Sequence, residues 1–168
     1  RVSSVNAGAD ICKRENIDVL LAVGGGSVID CAKYVGAATY YDGDAWDILL
    51  QKVDVQKCLP VVTVLTLAAT GSEMDAGGVI SNPETNDKLG FSFAPMQPKV
   101  SFLDPTLTYS VSKYQTACGS ADILSHIFES YFVPQDGSMY MLDCVKESLM
   151  KTVIKYAPIA LEQPDNYE

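Results

Sequence analysis

A chain of 168 residues can bury a hydrophobic core and is long enough for one or two domains. Its formal net charge of −9 argues against nucleic acid and anionic membrane surfaces as partners, because both carry negative charge. No stretch approaches the roughly 18 uncharged apolar residues of a membrane span, and residues 1–10 lack the apolar core of a signal peptide. We therefore expect a cytoplasmic globular protein with no membrane and no nucleic-acid partner.

The cysteine pattern is typical of a protein in the reducing cytoplasm. The cysteines are odd in number, widely spaced and without a C-x-x-C pair: Cys12, Cys31, Cys58, Cys118 and Cys144. That pattern favours reduced thiols over a disulfide framework. We expect all five to be small buried hydrophobic side chains.

Residues 1–108 alternate between helix and strand patterns. Val2 to Glu15 has apolar residues at helical spacing and ends at Asn16. This helix should follow a strand, and none precedes it, so we expect a fragment of a longer protein. Asp18 to Val23 is an apolar run that predicts a strand buried on both faces, followed by three glycines. The next helix shows an apolar stripe at Val28, Ala32 and Val35.

Further strands precede a helical region. Pro60 to Leu65 is predicted to be a second buried strand and Lys99 to Leu103 a short one. Between them, Val79 to Ser81 and Leu89 to Phe91 flank a turn-rich stretch, which predicts a hairpin. Helices are predicted at Thr116 to Phe132 and at Ser138 to Ala157, with Pro158 and Pro164 closing the second. We therefore predict an α/β part with an incomplete parallel sheet at 1–108, and the start of an all-helical part at 109–168.

Two loops after buried strands carry candidate binding residues. Gly24 to Ser27 lies between a strand and a helix, where free N–H groups and the helix dipole favour a phosphate. A tight turn with Ser27 as a helix cap is the alternative, and three consecutive glycines favour phosphate binding. Thr66 to Glu73 offers hydroxyls at a strand's carboxyl end, where open α/β sheets bind ligands. On its own, this second segment is better explained as a polar loop with a cap.

Asp122 and His126 form the candidate metal pair. His126 is the single histidine of the sequence, and the four-residue gap puts both side chains on one helix face. A carboxylate and an imidazole can hold a divalent metal, but such sites usually take three or four protein ligands. Taken alone, the pair is better explained as a surface ion pair or a buried hydrogen bond. Glu129 is either a supporting group of this site or an exposed acid, and we favour the exposed acid.

Taken together, these segments resemble the iron-containing alcohol dehydrogenases. The order and spacing of the motifs match over essentially the whole chain: GGGSVIDCAK (24–33), LTLAATGSEMDAGGVIS (65–81), NDKLGF (86–91), LDPTLTYSVS (103–112) and ADILSHIFESYF (121–132). The segments GGVISNPETNDKLGF and ALEQPDNY look most like the butanol dehydrogenase branch, which is often NADPH-dependent. The family's proteins are considerably longer than this chain, with an α/β dinucleotide-binding domain, a helical domain and a divalent metal.

The resemblance implies a role for particular residues. It implies contacts at or near the pyrophosphate for Gly25, Gly26, Ser27 and Asp30. It implies contacts near the nicotinamide end for Thr66, Thr70 and Ser72, and a contact with the nicotinamide ribose for Lys88. Lys88 would otherwise be taken for a solvated charge. Asp122 and His126 would be the first two metal ligands, and the sequence stops before the two further histidines of the family. No catalytic residue beyond the metal ligands is expected.

For the parent protein, the resemblance implies hydride transfer between NAD(P)H and a primary alcohol or aldehyde such as butanol or butyraldehyde. The expected cofactors are NADP or NAD, with NADP favoured, and a divalent metal, Fe or Zn. A glycerol or other polyol dehydrogenase relative is one alternative. A dinucleotide-binding module without catalysis is the other. A homodimer is the expected assembly.

Overall fold

A computed structural model describes residues 1–134 and 139–167. In this part of the chain the helices are α1 (Val2–Glu15), α2 (Gly26–Ala38), α3 (Ala45–Leu49), α4 (Lys113–Tyr131) and α5 (Tyr140–Glu162). The strands are β1 (Leu20–Gly24), β2 (Val61–Leu65), β3 (Gly77–Asn82), β4 (Asp87–Ser92) and β5 (Val100–Phe102). Short 3-10 turns occupy Ala94–Met96 and Pro105–Thr108. The predicted α/β fold followed by helices is confirmed.

The chain forms two compact units. Unit 1 comprises Arg1–Thr66 and Gly71–Asp104, and unit 2 comprises Leu67–Thr70 and Pro105–Glu168. The division into a nucleotide domain at 1–108 and a metal-binding domain at 109–168 stays a prediction. No helix in the described ranges has both the length and the apolar composition that a membrane span requires.

Unit 1 contains a parallel sheet in the order β1-β2-β5. The β-branched and leucine-rich runs suit such strands. In register, Gly24 at the end of β1 lies opposite Leu65 at the end of β2, and Val64 lies opposite Phe102 of β5. The carboxyl ends of parallel strands share one edge, so the segments that follow these strands start side by side.

One face of this sheet is exposed, which corrects the prediction for Asp18 to Val23. Ala22 of β1 is buried and packs with Ile29 of α2, but Leu21 and Val23 point to the other face and are 65% and 55% exposed. Successive side chains of a strand point to opposite faces, and α2 packs against one of them. The prediction of burial on both faces is therefore wrong for β1.

Helix α2 confirms a predicted helix, but its predicted apolar stripe is only partly buried, because Val35 is buried and Val28 is not. Val28 is 46% exposed, whereas Ile29 and Tyr34 are fully buried. Because three- and four-residue steps define a helix face, the buried side includes Ile29 and Lys33 rather than Val28. Tyr34 joins the main core, which also takes in α1 and the buried Ile80 of β3.

The hairpin prediction is confirmed, and the last helix differs from its prediction. Strands β3 and β4 pair antiparallel, with Gly77 opposite Ser92 and Asn82 opposite Asp87. The predicted start of the last helix at Ser138 lies outside the described residues. Pro158 lies inside α5 and does not close it. A proline lacks only its own N–H, so later residues still donate: the Gln163 N–H is 2.8 Å from the Ile159 carbonyl oxygen.

The cysteines are free thiols but are not all buried. Cys12 is buried, Cys31 and Cys58 are half-buried, and Cys118 and Cys144 are exposed. The prediction of burial is wrong for the last two, which lie on α4 and α5. Gly119 is the single buried residue among the described residues of unit 2, so these helices offer little interior for a thiol.

Candidate functional site: a glycine loop and a carboxylate-imidazole pair

The glycine loop joins β1 to α2. Gly24 ends the strand, Gly25 precedes the helix in extended conformation, and Gly26 is its first residue. A Cβ on Gly24 would stand 2.7 Å from Val28, so strand and helix approach too closely there for a side chain. No side chain caps α2, and Ser27 is exposed. The alternative of Ser27 as a cap is therefore not what the structure contains, and the first N–H groups of α2 are those that a helix leaves without an internal partner.

Thr66 lies beside this loop. Its N–H donates to the Gly24 carbonyl oxygen at 3.1 Å, which extends the pairing of β1 and β2 by one residue. The first residues after two neighbouring parallel strands are thus brought together at one edge of the sheet. In open α/β sheets this edge is where ligands bind.

Asp30 and Ser72, both expected near the cofactor, are bonded to each other. The Ser72 hydroxyl donates to Asp30 Oδ1 at 2.6 Å, and Ser72 is 3% exposed. Asp30 Oδ2 also accepts the Val79 N–H at 2.9 Å. In this structure the two side chains link α2 to the loop after β2 and to strand β3. Their direct contact with a cofactor stays a prediction.

The remaining expected nucleotide contacts lie in different places. Lys88 is exposed on β4, opposite Ser81 of β3, within unit 1. Thr70 is exposed and belongs to unit 2. The structure therefore brings Gly25, Gly26, Ser27 and Thr66 together at one edge of the sheet, and it carries Lys88 on a separate hairpin.

Lys33 was missed by the sequence analysis. It is fully buried, and its ammonium donates to the Asp75 carbonyl oxygen at 2.9 Å, to Asp75 Oδ1 at 2.8 Å and to the Gly77 carbonyl oxygen at 2.7 Å. A signal was available in the sequence. Lys33 stands four residues after Ile29 and four before Ala37, so it falls on the buried face of the helix.

Tyr34 is the second residue that was missed. Its hydroxyl lies 2.9 Å from the carbonyl oxygens of Gly78 and Phe91, to which it can donate, and it accepts the Phe91 N–H at 2.8 Å. Burial raises the pKa of Tyr34 well above its usual range, so the hydroxyl keeps its proton. With Asp30 and Lys33, Tyr34 fastens α2 to the hairpin.

The candidate metal pair lies in unit 2. Asp122 and His126 occupy one face of α4, with Asp122 Oδ1 4.0 Å from His126 Nε2 and side chains 46% and 47% exposed. Serine at the N-cap supports this helix, because the Ser112 hydroxyl accepts the Gln115 N–H. A carboxylate and an imidazole on adjacent turns suit two positions of a divalent metal's coordination shell. Glu129 is exposed, as favoured.

A full set of ligands is not present in the described part of the chain. Among residues 1–134 and 139–167, no group of three or more His, Cys, Asp or Glu side chains is arranged to hold a metal ion. The pair therefore fits a partial metal site, and its geometry also suits a surface ion pair when His126 is protonated.

The comparisons with known protein families and with individual proteins agree with one another. The model of the family "Iron-containing alcohol dehydrogenase" matches residues 1–105. NADH-dependent butanol dehydrogenase A of Clostridium acetobutylicum is 52% identical over all 168 residues, which span 43% of its length. The NADPH-dependent aldehyde reductase YqhD of Escherichia coli is 40% identical, with 94% of this chain and 41% of the relative covered.

A solved structure gives the same result. The crystal structure of NADH-dependent butanol dehydrogenase A from Thermotoga maritima matches with a TM-score of 0.94 and 38% identity, over 99% of this chain and 41% of that protein. The chain thus spans less than half the length of the relatives it matches. Since the family model covers more than half of this chain, the chain belongs to the iron-containing alcohol dehydrogenase family.

Proposed function

We propose that the complete protein that carries this chain transfers a hydride between NAD(P)H and a primary alcohol or aldehyde, such as butanol or butyraldehyde. The observation that carries the proposal is the meeting of the glycine loop and Thr66 at the carboxyl edge of the parallel sheet. Because the chain belongs to a dehydrogenase family, the ligand expected at that edge is a nicotinamide dinucleotide. The cofactor itself supplies or accepts the hydride.

The chain's own residues would bind and orient the nucleotide. Backbone N–H groups at Gly25, Gly26 and Ser27 would hold the pyrophosphate, because the start of a helix favours anions. The hydroxyls of Thr66 and Thr70 would contact the nicotinamide end, and Lys88 would reach the nicotinamide ribose. Asp30 and Ser72 would keep the loop after β2 against α2 while the nucleotide is bound.

The preferred nucleotide stays a prediction. The resemblance to the often NADPH-dependent branch favours NADP, and the similar proteins are named for both cofactors: "NADH-dependent" for butanol dehydrogenase A and "NADPH-dependent" for YqhD. Titration of the complete protein with each reduced nucleotide separates the two. NADP preference requires tighter binding of NADPH than of NADH.

Asp122 and His126 would hold a divalent metal, Fe or Zn. Such a metal, when bound, acts as a Lewis acid towards an aldehyde or alkoxide oxygen. Asp122 would contribute a negative charge that offsets part of the metal's charge, and His126 would offer the lone pair of a neutral ring nitrogen. Further ligands have to complete the shell, because two leave at least half of a four-coordinate site to water.

Turnover measurements test the proposal. We expect the complete protein to oxidise NADPH or NADH with butyraldehyde in a metal-dependent reaction. No turnover with either nucleotide would refute the assignment, and faster reaction with glycerol would favour the polyol dehydrogenase alternative. The 168-residue chain, supplied with Fe²⁺ or Zn²⁺, should show no turnover, and activity from it would contradict the ligand count.

One observation favours a second function for the isolated chain. The described residues hold two candidate ligands and no cluster of three. A dinucleotide-binding module without catalysis is therefore the function we assign to the 168 residues by themselves. Residence in the cytoplasm and assembly as a homodimer are also parts of the proposal, and size-exclusion chromatography tests the latter.

A further inference from the structure

We propose that Lys33 is a positioning residue for cofactor binding: from its buried position on α2 it fixes the β3–β4 hairpin, and through that hairpin it sets the place of Lys88. This inference rests on the proposed function, since it assumes that Lys88 contacts the nucleotide. It adds a residue that has no direct access to a ligand, because Lys33 is fully buried.

The contacts of Lys33 match the donors of an ammonium group. Lysine has three N–H donors, and three oxygen acceptors lie within 2.9 Å of Nζ, on Asp75 and Gly77. Asp75 Oδ1 also accepts the Gly77 N–H at 2.8 Å. A buried charge is costly unless it is paired and hydrogen-bonded, and here it is both. The turn that enters β3 is therefore held at several atoms by one side chain.

Neighbouring side chains of α2 fasten the rest of the hairpin base. Tyr34 bonds to Gly78 and to Phe91 on the opposite strand, and Asp30 accepts the Val79 N–H. The spacing of these residues by three and four places them on one face of α2. We call Asp30, Lys33 and Tyr34 the clasp. The clasp holds the base of the hairpin, meaning the three cross-strand residue pairs in which residues 77–79 face residues 90–92.

Lys88 stands beyond the held part of the hairpin. Ile80, opposite Leu89, is buried in the core, and the next pair towards the tip is Ser81 with Lys88. We expect a change at the base to be carried along both strands to the tip, because their pairing is continuous from Gly77–Ser92 to Asn82–Asp87. The same helix begins at Gly26 in the glycine loop. Helix α2 thus connects the expected pyrophosphate contact to the expected ribose contact.

A double-mutant cycle tests this link in the complete protein. The variants are Lys33→Met, Lys88→Met and the double variant, with nucleotide affinity measured by fluorescence titration below each melting temperature. If Lys33 acts through Lys88, we expect each single variant to weaken binding about fivefold, and the double variant to be no weaker than the weaker single one. Independent effects would multiply to about 25-fold in the double variant.

Lys13→Met is the matched control. Lys13 anchors another loop of unit 1, through the Tyr41 carbonyl oxygen and Asp42 Oδ1, and its loss should leave nucleotide affinity unchanged. Asp75→Ala is a second test should Lys33→Met fail to fold. Asp75 is exposed, and this substitution removes the carboxylate that accepts a hydrogen bond from Lys33. Like Lys33→Met, it should weaken nucleotide binding.

The outcomes separate the two proposals. A lower melting temperature with unchanged nucleotide affinity in both Lys33→Met and Asp75→Ala would leave Lys33 a structural residue and overturn its positioning role. Multiplicative effects in the double variant would overturn it as well. If the unaltered protein binds neither NADPH nor NADH, the proposed function fails first and the positioning role fails with it.

Discussion

Unit 1 and unit 2 bury their apolar side chains to very different extents. The hydrophobic side chains that are buried in the described part of the chain all belong to unit 1 and run from Val2 to Met96. In unit 2, α4 buries only Gly119 and α5 buries no described residue. Two large side chains of this unit, Met141 on α5 and Phe132 just after α4, are each 72% exposed. The difference shows that only unit 1 has an interior of its own among the described residues.

The two candidate sites inherit this difference. The glycine loop and Thr66 rest on a sheet that has one face packed against α2, and on a helix that the clasp holds in place. Asp122 and His126 rest on a helix whose sides are largely exposed, and they are half-exposed themselves. Ligand geometry is held best on rigid, packed elements. We therefore expect the glycine loop to be ordered in this chain and the geometry of the Asp122–His126 pair to depend on further ligands and contacts.

Hydrogen exchange tests the comparison with the largest expected effect. In the 168-residue chain, central amides of α2 should exchange at least about 100-fold more slowly than those of α5, which corresponds to roughly 2.8 kcal/mol. The reason is burial, because α2 has eight buried residues and α5 has none among those described. The comparison of two helices removes the effect of element type. Equal protection of α2 and α5 would contradict the difference between the units.

Substitution in the glycine loop should produce the next largest effect. In the complete protein, Gly26→Val should raise the Kd for the nucleotide tenfold or more, since one lost charge-assisted hydrogen bond is worth roughly 1.5–3 kcal/mol. Metal content should hardly change, because Asp122 and His126 belong to unit 2.

Gly8→Ala is the control for simple destabilisation. Its new Cβ would stand 2.7 Å from Val35 Cγ2, so it disturbs the packing of α1 on α2 away from the loop. It should lower the melting temperature and leave the Kd unchanged. Unaltered affinity in Gly26→Val, measured well below its melting temperature, would mean that the glycines serve the turn alone.

The smallest effect concerns a capping residue of unit 1. Asp44 Oδ1 accepts the Asn6 side-chain N–H at 3.0 Å and the Trp46 N–H at 2.9 Å, and it caps α3. These two bonds, the one from Asn6 first, lower the pKa of Asp44 below its ordinary value. Because Asp44 is the N-cap of α3, Asp44→Ala should cost about 1 kcal/mol of unfolding free energy near neutral pH.

The sign of its pH dependence follows from the lowered pKa. The charged carboxylate stabilises the fold above the unfolded-state pKa of about 3.9, and this contribution is lost as the pH falls through the lower pKa of the folded state. Urea unfolding should therefore show that the difference in unfolding free energy between the unaltered chain and Asp44→Ala becomes smaller in acid. Asp44→Asn is the control, because it retains an acceptor oxygen without a charge. A difference in unfolding free energy that grows in acid would contradict the claim that the charged carboxylate of Asp44 stabilises the fold.

Local sequence patterns predicted the elements that depend on local chemistry. Helix α1, strand β2 and the hairpin follow from apolar spacing and turn residues, and the four-residue gap put Asp122 and His126 on one face. Helix α3 was missed because its five residues are too few to show a period. Lys33 was missed as a link because its partner Asp75 lies 42 residues away, and no local pattern reports such a contact. The exposed face of β1 could not be foreseen, because the apolar run does not say which neighbours are present.

The metal ligand pair bears most directly on the central proposal, that Asp122 and His126 hold a divalent metal in the complete protein. The measurement is the metal content and the nucleotide Kd of His126→Ala in the complete protein, with Ser125→Ala, an exposed neighbour on the same helix, as control. We predict that His126→Ala loses the metal and all turnover while its nucleotide Kd stays within about twofold, which is less than 0.5 kcal/mol. The control should retain both metal and turnover. Metal content equal to that of the unaltered protein in His126→Ala would show that His126 is not a ligand and would contradict the account.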